Sequence, residues 1–252
     1  MLKFKQVQDQ TIVTRVRSIL EKKAGPHLVQ AAKDTGAFIA GGAITSAYND
    51  SKINDLDFFF GSLTSRLAFE NIVKKTYIVA YDSENAVTFK PKGSGSSYYR
   101  TQVQTIKKMY GNYTDILSCF DFFACMGAYS FIDDKLTVHE RFEDDCKNKV
   151  LCFNLDALSP LSVIPRIPKY VRKGFSISNL ECLKIGLKCT EMSFLNWDDL
   201  RDQVNSVDAA LLGQAFGSIA TECEPEDQFS VDTFLAEVGF VIDKEKAKKV
   251  QK

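Results

Sequence analysis

Two aspartates two residues apart, at the head of an otherwise apolar run, constrain this chain more than any other feature. The segment is Asn54-Asp55-Leu56-Asp57-Phe58-Phe59-Phe60. Three consecutive phenylalanines call for a packed core, and the alternation before them reads as a strand. Side chains two apart on a strand point to one face. Asp55 and Asp57 therefore project together, their backbones about 6–7 Å apart at a rise of ~3.3 Å per residue. Two like charges so placed repel unless solvent or a cation lies between them. Alone, the pair fits a solvated strand edge as readily as a metal site.

The preceding residues sharpen the choice. Ala37-Phe38-Ile39-Ala40 reads as a short buried strand, Gly41-Gly42 as a turn, and Ile44-Thr-Ser-Ala-Tyr-Asn49 as a small helix. Glycines at a strand-to-helix turn let backbone N–H groups approach a polyphosphate. An ordinary tight turn has the same sequence. Ser46, early in that helix, is either a phosphate contact or a capping residue. Magnesium favours a few carboxylate oxygens completed by substrate phosphates, so Gly41, Gly42, Asp55 and Asp57 form one chemically coherent set.

The rest of the chain supplies the frame. Helical spacing runs from Gln10 to about Lys33, broken at Gly25-Pro26 and closed by Asp34-Thr35-Gly36. A helix spans about Thr64 to Lys75. Three β-rich runs follow, TYIVAYD, AVTFK and YYRTQVQTIKK, the last two joined by KPKGSGSS. Lys90, Lys92, Tyr98, Tyr99 and Arg100 flank that loop; basic residues interleaved with aromatics suit single-stranded nucleic acid or simply a solvated hairpin tip. FDFFACMGAYSF reads as a long buried strand, and beyond Ser159-Pro160 the pattern is mainly helical, with Trp197 in its core. The expected fold class is α+β, a mixed sheet flanked by helices over residues 1–150, followed by a small helical region over 151–252.

Composition excludes several classes. Lys plus Arg and Asp plus Glu both number 32, so no global field draws the molecule to nucleic acid or anionic lipid. No secretory leader or ~18-residue apolar span is visible, so a cytoplasmic protein with no membrane partner is expected. The seven cysteines show no C-x-x-C and there are only two histidines, which argues against a zinc or disulfide framework. Cys119, Cys125, Cys152, Cys182 and Cys189 read as small core residues.

Taken in order, these segments resemble the DNA polymerase β-like nucleotidyltransferases, and within them the head domain of class II CCA-adding enzymes and bacterial poly(A) polymerases. The family pattern Gly-Gly-x-x-Arg-Asp followed by D-x-D is similar to GGAITSAYNDSKINDLDFFF, with Thr45-Ser46 at the Arg-Asp positions. A second block, R-R-D-F-T-x-N-A-x-A-Y, is echoed by CFDFFACMGAY, which keeps Asp121, Phe122, Ala128 and Tyr129 but has Cys119-Phe120 for the arginines and Phe123 and Cys125 for Thr and Asn. D-L-x-N-K-x-L matches DDCKNKVL at Asp145, Asn148, Lys149 and Leu151. The segment SPLSVIPRIPKYVRKGF keeps Pro160, Leu161, Arg172, Gly174 and Phe175, with Ser162, Pro165 and Pro168 at arginine positions. Proline inside a helix removes a hydrogen bond, so a bend is expected there. The resemblance covers residues 36–176.

The resemblance implies a nucleotidyltransferase fold and transfer of NMP from an NTP to a hydroxyl acceptor, such as an RNA 3′ end, with release of pyrophosphate. It implies Mg²⁺ or Mn²⁺ at Asp55 and Asp57, with Asp121 as third carboxylate and Asp115 as the second choice for that role. Gly41, Gly42 and Ser46 would face the triphosphate, joined by Arg166, Lys169 and Arg172 as a cationic clamp. The replaced arginines leave two other readings: a fold that no longer catalyses and serves as a binding or scaffold protein, and NMP transfer to a protein or small molecule.

Overall fold

The computed structural model describes residues 2–92, 101–192, 196–204, 230, 232–234 and 236. Tyr98, Tyr99, Arg100 and most of the Gly/Ser loop lie outside the described residues, as do the acidic 222–227 run and the basic tail. The chain divides into two compact units, Met1–Leu158 with Lys173–Ile177, and Ser159–Arg172 with Ser178–Lys252.

The first unit is built on an eight-stranded sheet in the order β1-β8-β7-β2-β3-β6-β5-β4. Its strands are β1 (Phe4–Gln6), β2 (Phe38–Ala40), β3 (Asp55–Phe60), β4 (Tyr77–Asp82), β5 (Ala86–Pro91), β6 (Gln102–Tyr110), β7 (Gly127–Ser130) and β8 (Lys135–His139). All neighbours are antiparallel except β3 and β6, which run parallel. The mixed α+β architecture expected from the sequence is the one observed.

Helix α1 (Gln10–Thr35) starts at Asp9, whose side chain accepts from the amides of Thr11 and Ile12, and ends at left-handed Gly36. It kinks at Gly25, which is non-helical at φ 74° and ψ 163°, just before Pro26. α1 packs on α3 (Leu63–Val73), and α3 covers β3 and β6. Leu56, Phe58 and Phe60 point into that layer and are buried. The Phe69 ring of α3 lies 4.7 Å from Phe58 and 5.4 Å from Phe60, centre to centre. On the other face, Phe59 joins Phe38, Ala40, Ile116, Leu117, Met126 and Ala128 in a second cluster; two of these come from α4 (Tyr113–Ser118). The FFF run is thus core on both faces, as its composition requires.

The expected single strand over residues 122–131 is corrected by the structure. Phe123–Cys125 form a 3-10 turn, and the strand begins only at Gly127. The run then turns back as the β7–β8 hairpin, and β1 adds an edge strand that the short polar N-terminus did not announce. After α5 (Phe142–Asn148), β9 (Val150–Leu151) pairs in parallel with β10 (Ser176–Ile177).

The second unit contains α6 (Pro160–Val163), α7 (Ile167–Val171), α8 (Asn179–Thr190) and α9 (Trp197–Val204). The bend expected at the prolines appears as a break into α6, a 3-10 turn at Ile164–Arg166 and α7. α6 packs on α8 and α9, and Ile185, Trp197 and Leu200 are buried. Of the cysteines read as core, Cys125 is buried, Cys119, Cys152 and Cys189 are half-buried and Cys182 is exposed on the amphipathic α8. No helix among the described residues is long and apolar enough to cross a membrane.

Candidate active site

The sheet topology gathers the scattered sequence signals at one end. β2 is antiparallel to β3, with Phe38 opposite Phe59 and Ile39 opposite Phe58. Continuing that register brings Ala40 and the glycine turn alongside Asp57. β6 runs parallel to β3 and sets Gln102 opposite Asp55 and Gln104 opposite Asp57. Directly paired residues share a face, so the two half-buried glutamines flank the carboxylates. Nothing in the sequence singles out these glutamines; only the β3–β6 pairing, formed across 47 positions, brings them in.

Asp55 and Asp57 are half-buried, and Asp57 Oδ1 is shielded from solvent. The next residue on that face, Phe59, is core. The pair therefore stands at the boundary where the sheet face changes from polar to apolar.

Gly41 adopts φ 80° and ψ −138°, a conformation suited to glycine. Its N–H donates to Gly127 O at 3.0 Å, and its carbonyl accepts from the amides of Ile44 (2.9 Å) and Thr45 (3.1 Å). A β-carbon at this position would lie 3.0 Å from Phe120 Cε2. The same Phe120 ring lies 5.7 Å from that of Phe59. Gly41's own amide is thus committed to the sheet. The first amides of α2 (Gly42–Tyr48), those of Gly42 and Ala43, have no carbonyl four residues back within the helix. The neighbouring Gly127 is a glycine for close packing: a β-carbon there would stand 2.7 Å from Ile44 Cγ2.

Thr45 and Ser46, at the Arg-Asp positions of the family pattern, are both buried. Thr45 Oγ1 donates to Ala124 O at 2.7 Å, which ties α2 to the 3-10 turn. Ser46 Oγ accepts from Lys173 Nζ at 2.9 Å, while its carbonyl accepts from the Ser51 amide at 2.8 Å. Ser46 is a polar contact point rather than a cap, and Lys173 is a cation that the sequence reading passed over.

Asp121 is buried, and its Oδ1 accepts from the Phe122 amide at 2.9 Å. Its carbonyl accepts from Asn154 N at 2.7 Å. Asp121 lies just before the 3-10 turn, next to Phe122, which bridges Phe153. Among the described residues, no three His, Cys, Asp or Glu side chains converge as a metal cage. Asp115 belongs to a capping box with Asn112 at the start of α4, a structural use.

Arg166 and Lys169 are half-buried and Arg172 exposed, all three in the second unit. Lys90 is exposed on β5, and Lys92 Nζ donates to the carbonyls of Lys74 (2.7 Å) and Lys75 (3.2 Å), anchoring the end of the hairpin to α3. In the Asp145-to-Leu151 block, burial pushes the Asp145 carboxyl above its usual range, partly offset by Arg141, whose Nη2 lies 3.3 Å from Asp145 Oδ1. The Arg141 guanidinium sits 5.2 Å above the Phe123 ring, which stacks on His139 at 4.4 Å. Burial likewise pushes the Cys146 thiol up, which disfavours the thiolate.

A family model described as Gabija anti-defense 2 family protein matches residues 6–149, the stretch that holds the glycine turn, the aspartate pair and Asp121. The chain belongs to this family. A curated family relative, "Gabija anti-defense 2" of Bacillus phage SPbetaL7, is 33% identical over 185 residues. That match covers 73% of this chain and 44% of the relative, so the chain spans less than half of that relative's length. Among solved structures, the fold is similar to a CCA-adding enzyme complexed with ATP, with TM-score 0.53 and 16% identity over 88% of this chain and 54% of that one. A CTP complex gives 0.52 and 15%, over 88% and 55%, and an apo form 0.51 and 17%, over 90% and 57%. At these identities the likeness is one of fold. This member of the anti-defense family thus has a nucleotidyltransferase-like fold.

Proposed function

We propose that the protein transfers a nucleoside monophosphate from an NTP to a hydroxyl acceptor, releasing pyrophosphate, in service of the anti-defense role that its family name states. The observation that carries this reading is the aspartate pair at the polar end of β3, set beside the glycine turn by the β2–β3 register. The donors fit a hard divalent cation: two neighbouring carboxylates, one with a shielded oxygen. An ion of that kind binds one or two carboxylates and keeps positions for phosphate oxygens. Magnesium or manganese held by Asp55 and Asp57 would supply Lewis-acid stabilisation to the transferring phosphoryl group. The amides of Gly42 and Ala43 orient the triphosphate. Gln102 and Gln104 offer neutral hydrogen bonds beside the carboxylates, and buried Asp121 is the acid assigned to the acceptor hydroxyl.

An RNA 3′ end is the acceptor proposed first. The family match favours a second acceptor class, a protein of the defence itself. The replaced arginines, with Phe120 lying over Gly41 where a guanidinium stands in the family pattern, favour a silent binding protein as the competing reading.

One experiment separates them. The protein is incubated with each α-labelled NTP and Mg²⁺ or Mn²⁺, with total RNA or with extract from cells carrying the Gabija defence, beside an Asp55→Asn/Asp57→Asn variant. Label in RNA that is lost in the variant supports the first acceptor, and label in protein the second. Absence of label, together with no metal-dependent thermal shift by any NTP, rejects the enzyme and leaves the binding reading.

A further inference from the structure

We propose that the sheet face running from Asp57 across β6 and β5 to Tyr81 seats the acceptor, a single-stranded RNA 3′ end. This deepens the nucleotidyl-transfer reading and rests on it. Strand pairing lays the row out: Asp57 lies opposite Gln104, Gln104 opposite Thr88, and Thr88 opposite Tyr81. Directly paired residues share a face, so these four side chains stand side by side on successive strands. At ~4.8 Å per strand the row is about 14 Å long. Asp55 with Gln102, and Lys90 with Ile78, belong to the next row on the same face.

A bulge completes the row. Val79 pairs with Phe89, yet Thr88 pairs with Tyr81, so the register shifts past Ala80. Without that extra residue Tyr81 would fall on the face of Val79. The intervening rows differ in kind: Leu56, Val103 and Phe89, then Phe58, Thr105 and Val87, are all buried on the α3 side. On the polar row Gln104 and Thr88 are half-buried, Lys90 is exposed and Tyr81 is 67% exposed. Among the described residues, the side chains of Gln102, Gln104, Thr88, Tyr81 and Lys90 have no hydrogen-bond or ion-pair partner. Half-buried polar groups that the chain leaves unmatched, in register with a metal-binding pair, are groups that a ligand can match.

The chemistry of the row selects the ligand. Beyond the aspartate pair it carries no acid, because Asp82 lies in the Val87 row and pairs with Lys107. Carboxamides and a hydroxyl both donate and accept, which suits base edges and ribose hydroxyls. The exposed Tyr81 ring offers a stacking face, and Lys90 a cation for a phosphodiester. Stereochemistry gives the direction. Attacking and leaving oxygens lie in line on opposite sides of the transferred phosphorus. The glycine turn that orients the triphosphate follows β2, on one side of β3, and β6 is the strand on the other. The acceptor hydroxyl therefore enters over Gln104, with the preceding nucleotides running toward Tyr81.

The test uses the full chain with Mg²⁺ and a short unstructured ribonucleotide oligomer, fluorescent at its 5′ end and free at its 3′ hydroxyl, read by anisotropy; each NTP is titrated separately. Tyr81→Ala is expected to weaken oligomer binding at least about 5-fold, the low end of base–aromatic stacking at ~1 kcal/mol. Tyr81→Phe should bind as wild type, and Gln104→Leu should lose affinity as Tyr81→Ala does. Lys135→Met, an exposed lysine on β8, is the control and should be unchanged. NTP affinity should be the same in all four variants. Where turnover is measurable, Tyr81→Ala should raise KM for RNA more than it lowers kcat. A wild-type protein that binds no oligomer overturns the assignment, as does wild-type affinity in both Tyr81→Ala and Gln104→Leu. Loss of NTP affinity in Tyr81→Ala with oligomer binding unchanged gives the face to the incoming base and also overturns it. If Gln104→Leu does not fold, the two variants of the exposed Tyr81 decide by the same titration. Oligomer binding that depends on Tyr81 without NMP incorporation supports the RNA seat while rejecting transfer. Incorporation into RNA that is indifferent to Tyr81 and Gln104 keeps transfer and rejects the seat, so the two failures are distinguishable.

Discussion

The Phe120 ring lies directly over Gly41, 3.0 Å from where a β-carbon at that glycine would stand. The glycine is required twice over, by its positive φ of 80° and by this contact. Gly41→Ala should cost roughly 2–4 kcal/mol, the sum of a strained backbone and an overpacked neighbour. Urea denaturation measures it. A companion Gly41→Ala/Phe120→Ala protein should recover the packing part and keep the backbone part; full recovery would show that φ carries no strain.

Asp57 stands half-buried beside Asp55 and has an oxygen shielded from water. Asp57→Asn should lower NMP incorporation on the order of 100-fold or more, the scale of removing one electrostatic stabiliser from a transition state. An Asp57→Asn protein with wild-type turnover would remove the pair from the chemistry.

Beneath the sheet, Arg66 pairs with Glu70, donates from Nε to Tyr110 OH at 2.8 Å, and lies with Glu70 in a nearly dry layer, their side chains 9% and 4% exposed. Thr105 Oγ1 donates to the same Glu70 oxygen at 2.7 Å. Breaking a buried pair costs up to about 3–5 kcal/mol, less here because Lys74 Nζ stays 3.8 Å from Glu70 Oε2. Arg66→Leu should therefore unfold at much lower denaturant than wild type, while Arg66→Leu/Glu70→Leu should regain much of the loss. A double variant no better than the single would show that the network, not the stranded charge, sets the cost.

His139 gives the fold a pH dependence of known sign. Burial pushes its pKa below 6.5, with Glu140 opposing and Arg141 reinforcing. It lies against Phe4 and Phe123, and its Nδ1 accepts from the Arg141 amide at 3.2 Å, a bond that needs the neutral ring. With a folded pKa below the unfolded one, this contribution is whole above about pH 6.5 and is lost as pH falls toward the folded value. Asp145, whose carboxyl is raised, works in the opposite sense: its stabilisation is present at low pH and fades as pH rises through the raised pKa. The melting temperature should fall between pH 7 and 5, and His139→Phe should flatten that slope. An unchanged slope would assign the acid sensitivity to other groups.

The strands and helices around the site were legible because each carries its own local signal. The alternation into FFF gave β3, Gly25-Pro26 gave the kink in α1, and the prolines at 165 and 168 gave the broken helix. The long strand expected over residues 122–131 failed because apolar composition does not distinguish a buried strand from a buried 3-10 turn; Thr45's hydrogen bond to Ala124 O is among the contacts that hold the turn.

By itself the sequence determined that Asp55 and Asp57 share one strand face and that a glycine turn precedes them, because period and turn chemistry are properties of adjacent residues. The tertiary structure alone decided what surrounds them: Gln102 and Gln104 through the parallel β6, Phe120 over Gly41, and Lys173 on Ser46 from 127 positions away. Those neighbours depend on strand register and on where the returning chain is pinned, both of which are set by burial of the whole core and not by any local run of residues.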